Sequence, residues 1–153
     1  MDTGGPPRAI KIVVLVGLPG SGKSTYLSQI GAPALSSDAI RYLLADDQTD
    51  QTINDRVFET LRYLLRQRVA LGRRVTYIDA TSLTPQERAP YIGIGKSYGA
   101  DVEAMFFDVP PETCMERNRL RARVVPEEAM AKMAARLVPP ALAEGFSRVE
   151  VYR

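Results

Sequence analysis

The sequence contains no histidine and only one cysteine, Cys114, in 153 residues. Mechanisms that need an imidazole base or an imidazole-ligated metal are therefore excluded, and any general base must be a carboxylate or a lysine. A single thiol also excludes an internal disulfide and a cysteine-rich zinc site. We interpret Cys114 as a buried small hydrophobic residue rather than as a reactive thiol.

Long apolar runs are also absent, and none approaches the roughly 20 residues of a membrane span. Residues 1–8 are polar and rich in glycine and proline, unlike a signal peptide. With 45% hydrophobic and 25% charged residues, the composition is that of a globular protein. We expect a flexible tail over residues 1–8, a single domain over residues 9–153, a cytoplasmic location and no membrane partner.

Lysine is scarce as well, because sixteen of the twenty basic residues are arginine. The net charge is only +2. Four arginines fall in one short stretch: Arg117, Arg119, Arg121 and Arg123. The planar guanidinium binds phosphate in a bidentate manner, which lysine does not. The alternative is that these arginines form a solvated helix face. If they do bind phosphate, the four side chains cannot all point in one direction, and Arg119 is the candidate for solvent exposure.

Apolar runs alternate with helical patterns along the chain, which predicts an α/β fold with a mainly parallel sheet. The predicted strands cover residues 9–16, 74–79, 101–109 and 148–152. A helix is predicted over residues 53–71 from apolar residues three and four positions apart, including Leu64. Further helices are expected after Thr84, Pro111 and Pro126, with Pro90 bending or restarting the first of these.

Residues 17–24 (GLPGSGKS) match the phosphate-binding pattern G-x-x-x-x-G-K-[ST] between a predicted strand and a predicted helix. Glycines let the backbone turn tightly and present N–H groups to phosphate oxygens at a helix N-terminus. Lys23 is expected to bridge the β- and γ-phosphates, and the Ser24 hydroxyl to bind Mg²⁺ or Mn²⁺. The dinucleotide pattern G-x-G-x-x-G is not completed, and an accidental glycine turn is the remaining alternative. The predicted nucleoside triphosphate site comprises Gly20, Ser21, Gly22, Lys23, Ser24 and Thr25.

A second candidate segment is residues 36–41 (SSDAIR), where Ser37 is expected to cap a helix that begins at Asp38. Asp38 and Arg41 then share one helix face, where the carboxylate can accept a hydroxyl proton and the arginine can hold an anionic acceptor. The alternative is an ordinary i,i+3 ion pair on an exposed helix. Asp79 ends an apolar run and is a candidate for assisting Mg²⁺, or else a strand-end turn residue. The arginine stretch lies where a small kinase would carry a lid over the triphosphate.

From residue 12 to residue 152 the chain resembles the polynucleotide 5′-hydroxyl kinase module of bacterial end-healing enzymes. The resemblance is carried by GLPGSGKST, SSDAIR with the acidic LLADDQTDQT, YIDAT, RNRLRARVVPEE and EGFSRVEVY. It implies a P-loop NTPase-type parallel sheet flanked by helices, with a helical arginine-bearing lid. Many relatives have asparagine after the Asp-Ala-Thr triplet, where this chain has Ser82.

The resemblance implies transfer of phosphate from ATP or another NTP to the 5′-OH end of RNA or DNA. Asp38 would be the general base and Arg41 would hold the phosphate next to the terminal nucleoside. Arg117, Arg121 and Arg123 would contact the ATP phosphates or the base. Phosphatase and ligase modules would be partners in the same pathway or in a longer parent chain, for which 153 residues leave no room.

Two other hypotheses share the triphosphate site. A small-molecule kinase would differ in its acceptor pocket and would lack the steep salt dependence of a nucleic-acid acceptor. A nucleotide-binding switch or interaction module would hydrolyse ATP without an acceptor, and the paired Asp38 and Arg41 argue against it.

Overall fold

The computed structural model describes residues 9–121 and 124–153, which form a parallel sheet flanked by helices. The strands are β1 (Lys11–Val16), β2 (Ala34–Ser36), β3 (Val75–Asp79), β4 (Asp101–Phe107) and β5 (Arg148–Tyr152). The helices are α1 (Lys23–Ile30), α2 (Ser37–Ala45), α3 (Asn54–Ala70), α4 (Pro85–Tyr98), α5 (Pro111–Arg119) and α6 (Glu127–Arg136). The strand order is β2-β3-β1-β4-β5, and every pairing is parallel. The predicted α/β fold with a parallel sheet and flanking helices is confirmed.

The central strand β1 is buried on both faces, which explains its nearly continuous apolar sequence. Alternate residues Ile12 and Val14 pack in the cluster formed with α3 and α4. The intervening residues Val13 and Leu15 pack on the α1 side. β1 lies between β3 and β4, so the loop that follows it lies in the middle of one sheet edge. All parallel strands end at this edge, where α/β proteins bind their ligands.

Several local predictions were wrong in detail. Strand β2 was not predicted, because its three residues carry too short a pattern to be recognised. Ser36, not Ser37, caps α2: its backbone is extended and its side chain accepts a hydrogen bond from the N–H of Ala39, while Ser37 is already helical. β4 ends at Phe107, two residues before the predicted end.

The helical predictions hold with two exceptions. α4 runs without a break through Pro90, because its buried face packs against the sheet and outweighs one missing backbone hydrogen bond. In α3 the buried residues recur every fourth position, at Val57, Leu61 and Leu65, whereas Leu64 is 37% exposed. Cys114 is fully buried, as predicted, and burial raises the pKa of its thiol.

The predicted tail over residues 1–8 and the predicted lid residue Arg123 lie outside the described residues. Over residues 9–121 and 124–153, no helix is long and apolar enough to cross a membrane.

Candidate active site

A cleft of about 1510 Å³ lies at the carboxyl edge of the sheet. Its walls include every predicted site residue that the structure describes: Gly20, Ser21, Gly22, Lys23, Ser24, Thr25, Asp38, Arg41, Asp79, Arg117 and Arg121. These residues come from four separate segments of the chain. The fold therefore brings the predicted phosphate loop, the Asp38 pair, the strand-end acid and two of the lid arginines into one cavity.

The phosphate loop follows β1 and turns into α1 through glycines with positive φ. Gly20 has φ +85° and Gly22 has φ +106°, a region that side chains disfavour. At Gly20 a Cβ would also lie only 2.7 Å from the backbone oxygen of Cys114. Ser21 is 3% exposed, and its Oγ is a buried side-chain oxygen without a hydrogen-bond partner in the described part of the chain. An unpaired hydroxyl beside a helix N-terminus suits an incoming anion.

Lys23 is the first residue of α1 and is 8% exposed. Its Nζ donates hydrogen bonds to the carbonyl oxygens of Gly17 at 2.7 Å and Leu18 at 3.0 Å. Burial lowers its pKa to about 8, although the nearby Asp79 carboxylate opposes that shift. The ammonium group is thus held inside the loop, at the base of the cleft, where it gains most from an anionic partner.

Asp79 ends β3 beside the phosphate loop. Burial raises the pKa of its carboxyl; Lys23 and Arg121 oppose this shift and Asp38 adds to it. Asp79 therefore lies within electrostatic reach of all three groups. Ser24 is exposed in the first turn of α1 and faces the same cavity.

A divalent cation bound with a triphosphate would fit the donors Ser24 and Asp79, because Mg²⁺ prefers hydroxyl, carboxylate and phosphate oxygens. In the described residues there is no cluster of three or more carboxylate or thiol side chains that could hold a metal by itself.

Arg41 also lines the cleft, is 4% exposed and is held by two partners. Its Nη1 donates to Asp38 Oδ1 at 2.8 Å. Its Nη2 and Nε donate to Asn54 Oδ1 at 2.8 and 3.3 Å. Asn54 is in turn oriented by Gln51, whose side-chain oxygen accepts from Asn54 Nδ2 at 3.0 Å. The pair is therefore not an ordinary exposed ion pair, because the guanidinium is buried in the cleft wall.

Asn54 was missed by the sequence analysis. It is thirteen positions from Arg41, and only the packing of α2 on α3 brings the two side chains together.

The arginine stretch begins in the last turn of α5, and its described members, Arg117, Arg119 and Arg121, face different directions. Arg117 Nη1 donates to the Gly20 carbonyl at 3.3 Å, so α5 contacts the phosphate loop directly. Arg121 faces the cleft and affects the pKa of Lys23 and Asp79. Arg119 forms a solvent-exposed ion pair with Glu127, so it is the outward-facing member that we predicted.

Asn118, near the end of α5, is fully buried and bonds to Val125 just before α6. Its Nδ2 donates to the Val125 carbonyl at 2.6 Å, and its Oδ1 accepts from the Val125 N–H at 2.9 Å. α6 is tied to α4 by an ion pair between Arg136 and Glu87 at 2.6 Å, which sequence reasoning also missed. Both of those side chains border the cleft.

A protein-family model described as an AAA domain matches residues 12–140. The chain belongs to this family. Like this AAA domain, a chain in the Pnkp1/Rnl/Hen1 RNA repair complex has the same fold, with a TM-score of 0.70 and 21% identity. That match covers 85% of the present chain but only 44% of the chain from the complex. The present chain therefore spans less than half the length of the chain from the complex.

Two kinases that are named after small molecules also share the fold of this chain. A gluconokinase from Sinorhizobium meliloti matches with a TM-score of 0.59 and 20% identity, covering 95% of this chain and 82% of the other. The Mycobacterium tuberculosis APS kinase CysC, in complex with AMPPNP and APS, matches with a TM-score of 0.58 and 23% identity, covering 95% and 90%. At these identities the likenesses establish the fold, which is that of P-loop kinases.

Proposed function

We propose that the protein transfers the γ-phosphoryl group of ATP or another NTP to the 5′-hydroxyl of an RNA or DNA end. The observation that carries this proposal is the Asp38–Arg41–Asn54 cluster, whose guanidinium is buried and which shares one cleft with the phosphate loop. A nucleotide hydrolase needs no second binding site for an anionic acceptor. A kinase needs one opposite the γ-phosphate.

The donor nucleotide would bind along the phosphate loop. The loop N–H groups, Lys23 and the unpaired Ser21 hydroxyl would hold the phosphates, with Ser24 and Asp79 as the protein ligands of Mg²⁺ or Mn²⁺. The cation would neutralise charge on the β- and γ-phosphates. Arg117 and Arg121 line the same cavity, where they would neutralise the charge that develops during transfer.

At the acceptor, the Asp38 carboxylate would take the proton of the 5′-hydroxyl as its oxygen attacks the γ-phosphorus. A new oxygen–phosphorus bond forms, the bond to the β–γ bridging oxygen breaks, and the nucleoside diphosphate leaves with that electron pair. Arg41 would hold the phosphate next to the terminal nucleoside with the N–H groups that Asp38 and Asn54 do not use, since a guanidinium carries five. Catalysis would consist of positioning and charge neutralisation, without a covalent intermediate.

The likeness to a chain of the Pnkp1/Rnl/Hen1 complex supports a nucleic-acid acceptor and a role in the repair of RNA ends. It also supports partners in RNA repair, for which the resemblance of the sequence implies phosphatase and ligase modules. A second candidate is a small-molecule kinase, which is favoured by the match to 90% of the APS kinase chain.

The test is transfer of labelled γ-phosphate from ATP to 5′-OH oligonucleotides, with RNA and DNA assayed side by side. We expect label at the 5′ end, loss of at least about a hundredfold in rate with Asp38→Asn, and retained ATP affinity in that variant. Asp46→Asn is the matched control, because Asp46 is exposed at the end of the same helix and has φ +58°, which asparagine tolerates.

Three results separate the candidates. Label on oligonucleotides that falls steeply with salt supports the nucleic-acid acceptor. Label on small hydroxyl compounds but not on oligonucleotides replaces it with the small-molecule kinase. Hydrolysis of ATP with no labelled acceptor of either kind contradicts both. Normal transfer by Asp38→Asn would remove Asp38 from the role of base.

A further inference from the structure

A second cavity of about 240 Å³ lies between α3 and α4, next to the cleft. We call it the side pocket. Phe58, Ala80, Thr81 and Glu87 border both cavities, so the side pocket adjoins the cleft where β3 ends. Its volume is below the roughly 300–1,000 Å³ of pockets for drug-sized ligands, which suits a single ring system.

One face of α3 leads from the acceptor cluster into this side pocket. Asn54, Phe58 and Arg62 are spaced four residues apart and therefore lie along one helix face, about 6 Å from one to the next. Asn54 holds Arg41, Phe58 borders both cavities, and Arg62 borders the side pocket. A ligand whose phosphate lies at Arg41 can therefore place its next group against Phe58.

The opposite side of the pocket is held in an unusual backbone conformation. Ser82 has φ +48° and is 4% exposed, and a residue other than glycine adopts this conformation only when its surroundings enforce it. Its carbonyl accepts a hydrogen bond from Arg88 Nη1 at 2.9 Å. Arg88 is fully buried and is paired with Glu144. The pocket is therefore shaped by a rigid internal network rather than by a loose surface loop.

The groups around the side pocket suit a nucleobase. Phe58 offers an aromatic ring, and Pro90 adds an apolar surface. The Gln86 amide carries both donors and acceptors, and Arg62 and Glu87 supply one charge of each sign. Proteins that bind unpaired bases use this combination, in which the base stacks on an aromatic ring and polar groups contact its edge.

We propose that the side pocket binds the nucleobase of the acceptor's 5′-terminal nucleoside. This inference rests on the proposed function, because it extends the acceptor site from Arg41 along α3. The phosphate next to the terminal nucleoside lies at Arg41, its 5′-hydroxyl at Asp38, and its base against Phe58.

The experiment compares two 5′-OH RNA dodecamers that differ only in the first nucleoside, which is either adenosine or an abasic ribose. Stacking of one base on an aromatic side chain predicts that the abasic end has kcat/KM lower by about 5- to 150-fold. With Phe58→Leu this ratio is expected to fall below about threefold, since leucine keeps an apolar side chain at this position but removes the flat ring.

Tyr63→Leu is the matched control. Tyr63 is an exposed aromatic residue on the same helix that borders neither cavity, so the full ratio is expected to persist. Because Phe58→Leu could unfold the protein, Gln86→Ala serves as a second variant on an exposed residue. We expect it to reduce the ratio by at least about threefold while Mg·ATP affinity stays unchanged.

Equal kcat/KM on the adenosine and abasic ends would overturn the side-pocket proposal and leave the kinase proposal intact. A ratio that persists unchanged in both Phe58→Leu and Gln86→Ala would also overturn it, since the base would then be bound elsewhere. Failure of the proposed function gives a different result: the protein still binds Mg·ATP but labels neither dodecamer. In that case both the kinase proposal and the side-pocket proposal are wrong.

Discussion

Replacement of Glu144 by alanine is predicted to destabilise the protein strongly, although Glu144 does not line the cleft. Arg88 is fully buried and donates two hydrogen bonds to Glu144, from Nε at 2.9 Å and from Nη2 at 2.8 Å. Its Nη1 holds the carbonyl of Ser82. Glu144→Ala therefore leaves a buried guanidinium with no counter-charge and two donors with no acceptor.

Loss of one partner of a buried ion pair costs about 3–5 kcal/mol, a large share of the roughly 5–15 kcal/mol that stabilises a typical domain. The matched control is Glu127→Ala, since Glu127 also pairs with an arginine but both side chains are more than half exposed. Solvent screening limits that effect to at most about 1 kcal/mol. The double variant Arg88→Met/Glu144→Ala should lose less than the sum of the single variants, because no unpaired charge remains.

Urea unfolding at pH 7 and at lower pH measures these effects. Burial alone would raise the pKa of Glu144, but its bonds to Arg88 and to the Ala141 N–H lower it below the usual 4.5. A lowered folded-state pKa gives stability that is present above the unfolded value and is lost as pH falls through the folded value. The difference between wild type and Glu144→Ala should therefore be full at pH 7 and shrink below about pH 4.5. A loss at pH 7 no greater than that of Glu127→Ala would refute the reasoning.

Three further predictions concern the cleft. Asn54→Ala removes two hydrogen bonds from the Arg41 guanidinium. It should lower kcat/KM for the acceptor about tenfold or more and leave ATP affinity unchanged. An equal loss of ATP affinity would contradict this prediction. Gly20→Ala should abolish nucleotide binding measured by calorimetry, because the new Cβ would clash with the backbone oxygen of Cys114. The control is Gly72→Ala, where φ is +80° but the space is open. It should cost about 1–2 kcal/mol of stability and leave ATP binding intact. Because the pKa of Lys23 is about 8, Mg·ATP affinity should fall by up to tenfold per pH unit above pH 8 as the ammonium loses its proton, and a flat profile to pH 9.5 would contradict that role.

The parts of the cleft that were predictable from the sequence are those encoded in short, continuous patterns. The phosphate loop is such a case, because its glycines, Lys23 and Ser24 must occur at fixed spacing for the backbone to surround a phosphate. The closeness of Asp38 to Arg41 follows in the same way from one helical turn. The order of strands and helices was predictable from apolar periodicity, since buried parallel strands and amphipathic helices differ in their repeat.

The contacts that support those patterns join distant segments, and for that reason they were not predictable. Arg88 and Glu144 are 56 positions apart, and each looks like an ordinary surface charge in the sequence. The positive φ of Ser82 was also not predictable, because serine rarely adopts it and only the Arg88 network enforces it. Ser36 rather than Ser37 caps α2 because Ser36 is the last residue of β2 and has an extended backbone. This strand is too short to be recognised from its sequence.

The lack of histidine determines how the cleft can respond to pH. Lys23 is the one lysine among the described residues of the cleft, and its burial brings its pKa down to about 8. On the alkaline side, loss of nucleotide affinity should therefore report the proton on Lys23. On the acidic side, loss of transfer should report the carboxyl of Asp79, because burial raises its pKa. Because the sequence has no histidine, Asp79 and Lys23 are the groups expected to set the acidic and alkaline limits of the activity profile.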